Sequence, residues 1–141
     1  MVNQERLDKT YMAIAGELSK LSHAQRAQVG AVIVKDTHII AEGINGTPAG
    51  FDNACEYVDY VDQIHTKPEV FHAESNAIAK LAKSNNSSLG ATLYVTLAPC
   101  LECSKLIIQA GISRVVYRDK YHTTGIPLLL KAGINVDELC E

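Results

Sequence analysis

Two short stretches combine residue types that bind metal with one that moves protons: His72-Ala73-Glu74 and Pro99-Cys100-Leu101-Glu102-Cys103. An imidazole and two thiolates suit a borderline-soft cation such as zinc. Three protein ligands is the count of a catalytic centre that keeps its fourth position for water, whereas a closed structural centre takes four. Glu74 is not needed to complete that set. A carboxylate left over beside a water made acidic by zinc can serve as general base and general acid. A purely structural centre would need a fourth ligand from Cys55, His65, His122 or Cys140 and would leave Glu74 without a task. A redox Cys-x-x-Cys pair calls for neither the histidine nor the glutamate.

These groups must be positioned by regular elements. The spacing of Leu7, Tyr11, Ile14, Leu18 and Leu21 predicts one face of a first helix. Val29 to Lys35, the turn Asp36-Thr37 and His38 to Ala41 read as a two-stranded hairpin. His72 to about Lys83 predicts a helix, Ala91 to Leu97 a strand, and Cys100 to Ala110 a helix closed by Gly111. Ile112 to Tyr117 reads as a strand, Leu128 to Ala132 as a short helix ended by Gly133, and Ile134 to Val136 as a final edge strand. From Gly43 to about Phe71 the pattern dissolves into glycine, proline and acidic residues. That is longer than the roughly 12 to 15 residues usual for a structureless loop, and loops of this length are often functional. The succession predicts an α/β fold whose largely parallel sheet is covered on both faces and opens with an antiparallel hairpin. In this arrangement His72 and Glu74 start one helix. Cys100 and Cys103 share one side of another helix's first turn, started by Pro99, where the helix dipole favours thiolate.

Composition is consistent with a small enzyme. The chain has 141 residues, 47% of them hydrophobic, which predicts one domain over residues 1–141 with a single core. No stretch of roughly 18 apolar residues suggests a membrane span. The first residues, Met-Val-Asn-Gln-Glu-Arg-Leu-Asp-Lys, resemble neither a secretory signal nor a transit peptide, so a cytoplasmic location with reduced thiols is expected. A net charge of -3 and the lack of a basic cluster argue against a nucleic-acid polymer as ligand, because such binding neutralises several phosphates. A small phosphorylated ligand remains compatible.

His-x-Glu followed by Pro-Cys-x-x-Cys is the signature of zinc-dependent nucleobase deaminases. Over nearly its whole length the chain resembles the deoxycytidylate deaminases, in particular their short bacterial and phage-type members. The resemblance is carried further by Arg26-Ala27-Gln28-Val29-Gly30-Ala31, Gly43-Ile44-Asn45-Gly46-Thr47-Pro48-Ala49-Gly50, His72-Ala73-Glu74-Ser75-Asn76-Ala77-Ile78 and Asp119-Lys120-Tyr121-His122. It implies a cytidine deaminase-like three-layer α/β/α sandwich with a central five-stranded mixed sheet. It also implies one Zn2+ on His72, Cys100 and Cys103, with Glu74 shuttling protons while dCMP becomes dUMP and ammonia, a step toward dTMP. By the same resemblance Arg26, Lys120 and Tyr121 surround the 5′-phosphate, Asn45 and Asn76 hydrogen-bond the sugar or pyrimidine, and Ala73 lines the substrate. Arginine and tyrosine suit phosphate by their directed donors.

The resemblance further implies a homohexamer activated by dCTP and inhibited by dTTP, with effector contacts at Gly43, Asn45 and Gly46 and Mg2+ accompanying the triphosphate. Relatives usually carry tyrosine where this chain has Ile44, which can neither stack nor donate, so weaker effector coupling is expected. On its residues alone, Asn45 could instead serve a left-handed turn. Arg26 and Lys120 could be solvated surface charges. Cys55 and His65 are too few to specify a second metal. Asp52, Glu56, Asp59 and Asp62 read either as a solvated acidic face or as oxygen ligands for magnesium. The competing functions are a zinc deaminase of another substrate (cytidine, cytosine, guanine or transfer-RNA adenosine) and a non-catalytic zinc module.

Overall fold

The computed structural model describes residues 3–120 and 124–139. In chain order the elements are α1 (Gln4–Ser19), β1 (Gly30–Lys35), β2 (His38–Ile44), β3 (Glu56–Val58), β4 (Ile64–Thr66), α2 (Ala73–Leu81), β5 (Thr92–Leu97), α3 (Leu101–Gln109), β6 (Arg114–Asp119), α4 (Ile126–Lys131) and β7 (Asn135–Glu138). Asp36 and Thr37 reverse the chain between β1 and β2 with φ of 52° and 66°. Two consecutive positive φ values match the twist of an antiparallel pair. They are costly for a β-branched residue. The hydroxyl of Tyr11 donates to Thr37 O at 2.6 Å and secures the turn from α1.

The five-stranded sheet has the order β2-β1-β5-β6-β7. Its two faces follow from strict alternation. Val32, Val34, Tyr94 and Val116 pack against Tyr11, Met12 and Ala15 of α1. On the opposite face, Ala31, Ile33, Leu93, Val95 and Val115 meet Ala77 and Leu81 of α2, Ile107 of α3 and Leu129 of α4. Strands buried on both faces lose the polar half of the alternation, which is why β1 and β5 are apolar almost throughout. The three-layer α/β/α sandwich with a mixed central sheet is thus present.

Three details depart from the sequence reading. The sheet is less parallel than expected: β5 pairs antiparallel with β1, and only β5–β6 and β6–β7 are parallel. The cause is the crossover through α2. It carries β5 past β2 to the far side of β1, so β2 and β5 run the same way with the opposing β1 between them. Helix α1 stops at Ser19, leaving Leu21 63% exposed, and its buried stripe is Asp8, Tyr11, Met12, Ala15 and Ser19. Position 30 must be glycine for this helix to pack on β1, because a Cβ there would overlap the backbone oxygen of Ala15. Finally, the stretch between β2 and α2 is not structureless. It contains the antiparallel hairpin β3–β4, registered Glu56 to Thr66, Tyr57 to His65 and Val58 to Ile64.

Candidate active site

Helices α2 and α3 both begin at one place. His72 is the N-cap of α2, with Glu74 in its first turn. Cys100 is the N-cap of α3, and its sulfur accepts from the Cys103 amide at 3.4 Å. Pro99 stands one residue ahead of that cap and is fully buried, rather than starting the helix itself. An N-cap side chain leans back over its own first turn, so Cys100 and Cys103 are brought to one side. Gly43 fixes the companion helix. A Cβ there would overlap Ala73 O and lie 2.6 Å from Ala77 N, so only glycine lets β2 approach the first turn of α2.

His72 Nδ1 lies 3.2 Å from Cys103 Sγ and 3.5 Å from Cys100 Sγ. All three ligand atoms fall within 4.8 Å of one another, the only such group of three among the described residues. Nitrogen and sulfur ligands about 2.0 to 2.3 Å from a tetrahedral zinc are roughly 3.5 to 3.8 Å apart. The donor set and its spacing therefore fit that ion. Burial pushes the Cys103 thiol far up, and its neighbours Glu74 and Cys100 push it further. A divalent cation reverses this, because a coordinating thiol is deprotonated outright.

Glu74 is 4% exposed. Burial pushes its carboxyl up to about 7, against the opposing hydrogen bonds from its own backbone amide and from Cys103. A carboxyl poised near neutrality can both take and give a proton there. Glu74 stands outside the trio of ligand atoms.

A cavity of about 350 Å³ opens over these groups. Its floor is His72, Ala73, Glu74 and Cys100, its walls are Ala24, Ala27, Val29, Cys55, Val70, Leu97 and Ala98, and its polar rim carries Arg26, Asn45, Glu56 and Thr66. Arg26, Asn45 and Ala73 thus join the metal-binding trio and Glu74 in one place. Asn45 is not in a left-handed turn. Its Oδ1 accepts from Val29 N at 2.9 Å and its Nδ2 donates to Ala27 O at 2.7 Å, pinning the 27–29 segment to the end of β2. Asn76 is not part of the cavity lining; its Nδ2 donates to Ile44 O at 3.0 Å and ties α2 to β2. Lys120 follows β6 and lies 3.6 Å from Glu138 Oε1. Tyr121, His122 and Cys140 lie outside the described residues. Among the effector candidates, Gly43 serves helix packing, and Gly46 forms a bridge with Phe71.

Two acidic residues of the 43–71 stretch, Asp52 and Asp59, are employed locally. Asp52 Oδ1 accepts from Ala54 N, and Asp59 Oδ1 from Val61 N and Gln63 N, while Asp59 Oδ2 meets His65 Nε2 at 2.7 Å. Cys55 is buried in the cavity wall. Glu56, which the sequence offered only as part of an acidic face or as an oxygen ligand for magnesium, and Thr66, which it did not single out, both line the cavity. The available signal was a pair of short runs holding aromatic and β-branched residues, Glu56-Tyr57-Val58 and Ile64-His65-Thr66, around an Asp-containing turn.

A family model described as the cytidine and deoxycytidylate deaminase zinc-binding region matches residues 5–119. The deoxycytidylate deaminase of Enterobacteria phage T4 is 34% identical, covering 90% of this chain and 86% of its own. The mouse deoxycytidylate deaminase is 42% identical, over 88% of this chain and 74% of its own. The crystal structure of the dCMP deaminase of cyanophage S-TIM5, in complex with dCMP and dUMP, superposes with a TM-score of 0.88 at 42% identity, covering 99% of each chain.

Proposed function

Because the chain belongs to the cytidine and deoxycytidylate deaminase family, we propose that it hydrolyses dCMP to dUMP and ammonia in the cavity floored by His72, Glu74 and Cys100. One observation carries the reading. A buried carboxyl adjoins, without belonging to, three metal-capable donors in a pocket whose rim bears an arginine. A zinc ion on His72, Cys100 and Cys103 would supply the Lewis acidity that lowers the pKa of a water to about 7. Glu74 accepts a proton from the attacking water and delivers it to the pyrimidine ring nitrogen as the new C4–O bond forms. It then takes the remaining proton from the C4 hydroxyl and passes it to the exocyclic amine, so that the C4–N bond breaks with ammonia as a neutral leaving group and a carbonyl stays at C4. The apolar walls hold the base and keep bulk water out.

At the rim, Arg26 offers the 5′-phosphate a fork of donors, and Asn45 has amide capacity for the sugar or base. Lys120 and Tyr121 complete the phosphate site in this reading, while Asn76 acts from the far side of α2's first turn by holding it to β2. The activity is assigned to one domain over residues 1–141, and the reduced thiols it needs suit the cytoplasm. None of the described helices is long and apolar enough to cross a membrane. Assembly as a homohexamer and control by dCTP and dTTP, with Mg2+ carried by the triphosphate, extend the same reading. Ile44 weakens that coupling, which a dCTP titration at subsaturating dCMP reads directly. Ammonia release over dCMP, cytidine, cytosine and guanine tests the substrate. Turnover is expected on dCMP, and preferential turnover of a free base or of cytidine would assign the pocket to another member of the family.

A further inference from the structure

The segment 22–29 carries Arg26 to the cavity with no helix or strand of its own before β1. Its base is well tied. Ser22 Oγ donates to Asn45 O at 2.8 Å, Gln28 Nε2 donates to Ser22 O at 2.7 Å, and Asn45 holds Ala27 and Val29. Its outer part is held from elsewhere. Glu56 Oε2 accepts the backbone amide of Gln25 at 2.9 Å and that of Arg26 at 3.2 Å, and Thr66 Oγ1 accepts from Arg26 Nη1 at 3.4 Å.

Glu56 and Thr66 are register partners across β3 and β4. A single cross-strand pair therefore grips one residue at two points, main chain and guanidinium. The hairpin itself is anchored beside the pair, where Lys67 N donates to Cys55 O at 2.8 Å and Cys55 is buried in the cavity wall. A carboxylate accepting two amides is a charge-assisted and strongly directional tether. Its negative charge beside a phosphate site would be a liability for an anionic ligand if it did nothing else.

We infer that Glu56, backed by Thr66, is a positioning residue that sets Arg26 over the pocket and thereby determines preference for a phosphorylated substrate. This rests on the reading of Arg26 as a phosphate ligand. Glu56 acts through Arg26. Its loss displaces the arginine rather than the acid–base centre, so the penalty falls on recognition of the nucleotide more than on chemistry at the base.

The test uses the zinc-loaded full chain and compares dCMP with deoxycytidine for the wild type, Glu56→Ala, Glu56→Gln, Arg26→Ala and the Glu56→Ala/Arg26→Ala double variant. Amide hydrogen exchange at Gln25 and Arg26 is measured alongside. Glu56→Ala should lower kcat/KM for dCMP roughly tenfold or more beyond its effect on deoxycytidine, chiefly through KM, with faster exchange at both amides. Glu56→Gln, which keeps an oxygen acceptor at the same reach, should recover most of the loss. The double variant should be no worse than Arg26→Ala, since both changes remove one function. Equal losses on nucleotide and nucleoside, unchanged exchange, or losses that multiply in the double variant would overturn the assignment while leaving Arg26 in its role. An Arg26→Ala variant that keeps full nucleotide preference would instead overturn the phosphate reading, and the assignment with it.

Discussion

Cys103 and Glu74 share a buried corner that acts differently on the two side chains. Burial pushes the Glu74 carboxyl up to about 7, where it can exchange protons near neutrality, and pushes the Cys103 thiol well above its ordinary range, with Glu74 beside it adding to the effect. Replacing Cys103 with serine substitutes a hard, weakly acidic hydroxyl for a soft thiolate in a three-ligand set. Metal analysis of purified Cys103→Ser is therefore expected to show zinc well below one per chain, and full occupancy would remove Cys103 from the ligand set. The metal-capable trio and Glu74 were legible in the sequence because each pair, His72 with Glu74 and Cys100 with Cys103, lies within one helix start, where spacing places both side chains near the helix's N-terminus. Glu56 was not legible. Its partners are the amides of Gln25 and Arg26, about thirty positions away, and nothing in a lone glutamate reveals a distant backbone acceptor role.

At the scale of elements, the site depends on contacts made some distance from the metal. Gly43 lets β2 reach the first turn of α2, and a methyl group there meets backbone, which cannot rotate away. Gly43→Ala is expected to lower stability in urea by about 1 to 3 kcal/mol. It should also reduce turnover, since the displaced Ala73 lies between His72 and Glu74; unchanged stability and activity would refute this account of the glycine. A second contact joins α1 to the sheet: Arg114 grips Asp8 with two bonds of 2.8 Å, Tyr94 donates to the same carboxylate at 2.6 Å, and Arg114 also reaches Asp137. Although burial opposes it, the bonds from Arg114, Tyr94 and Gln4 hold the Asp8 carboxyl down at about 2, against 3.8 unfolded. The unfolded chain takes up the proton first as pH falls. The contribution, about 2 kcal/mol, is therefore complete above pH 4 and fades as pH drops toward 2. Asp8→Asn should flatten that limb of the urea-midpoint profile, and an unaltered slope between pH 4 and 2 would contradict the assignment. The helices and strands of the sandwich were readable from periodicity. The antiparallel pairing of β1 with β5 was not, because a crossover's landing place depends on which neighbouring strand still has an open edge.

For the whole molecule, the account is that the three layers bring two helix starts to the floor of one cavity, while a hairpin that the sequence reading took for loop builds its rim. That hairpin was obscured because three-residue strands carry too little alternation to stand out from a Gly- and Asp-rich background. The central claim is that a carboxylate outside the metal's ligand set turns over dCMP. It is tested most directly by measuring zinc content and dCMP deamination on the same preparation of Glu74→Gln. The amide keeps the size of the side chain but cannot carry the proton. The account predicts about one zinc per chain, as in the wild type, with turnover reduced by roughly 100-fold to 10,000-fold or more. A variant that retains more than about a tenth of wild-type turnover, or one that loses its zinc, would contradict it.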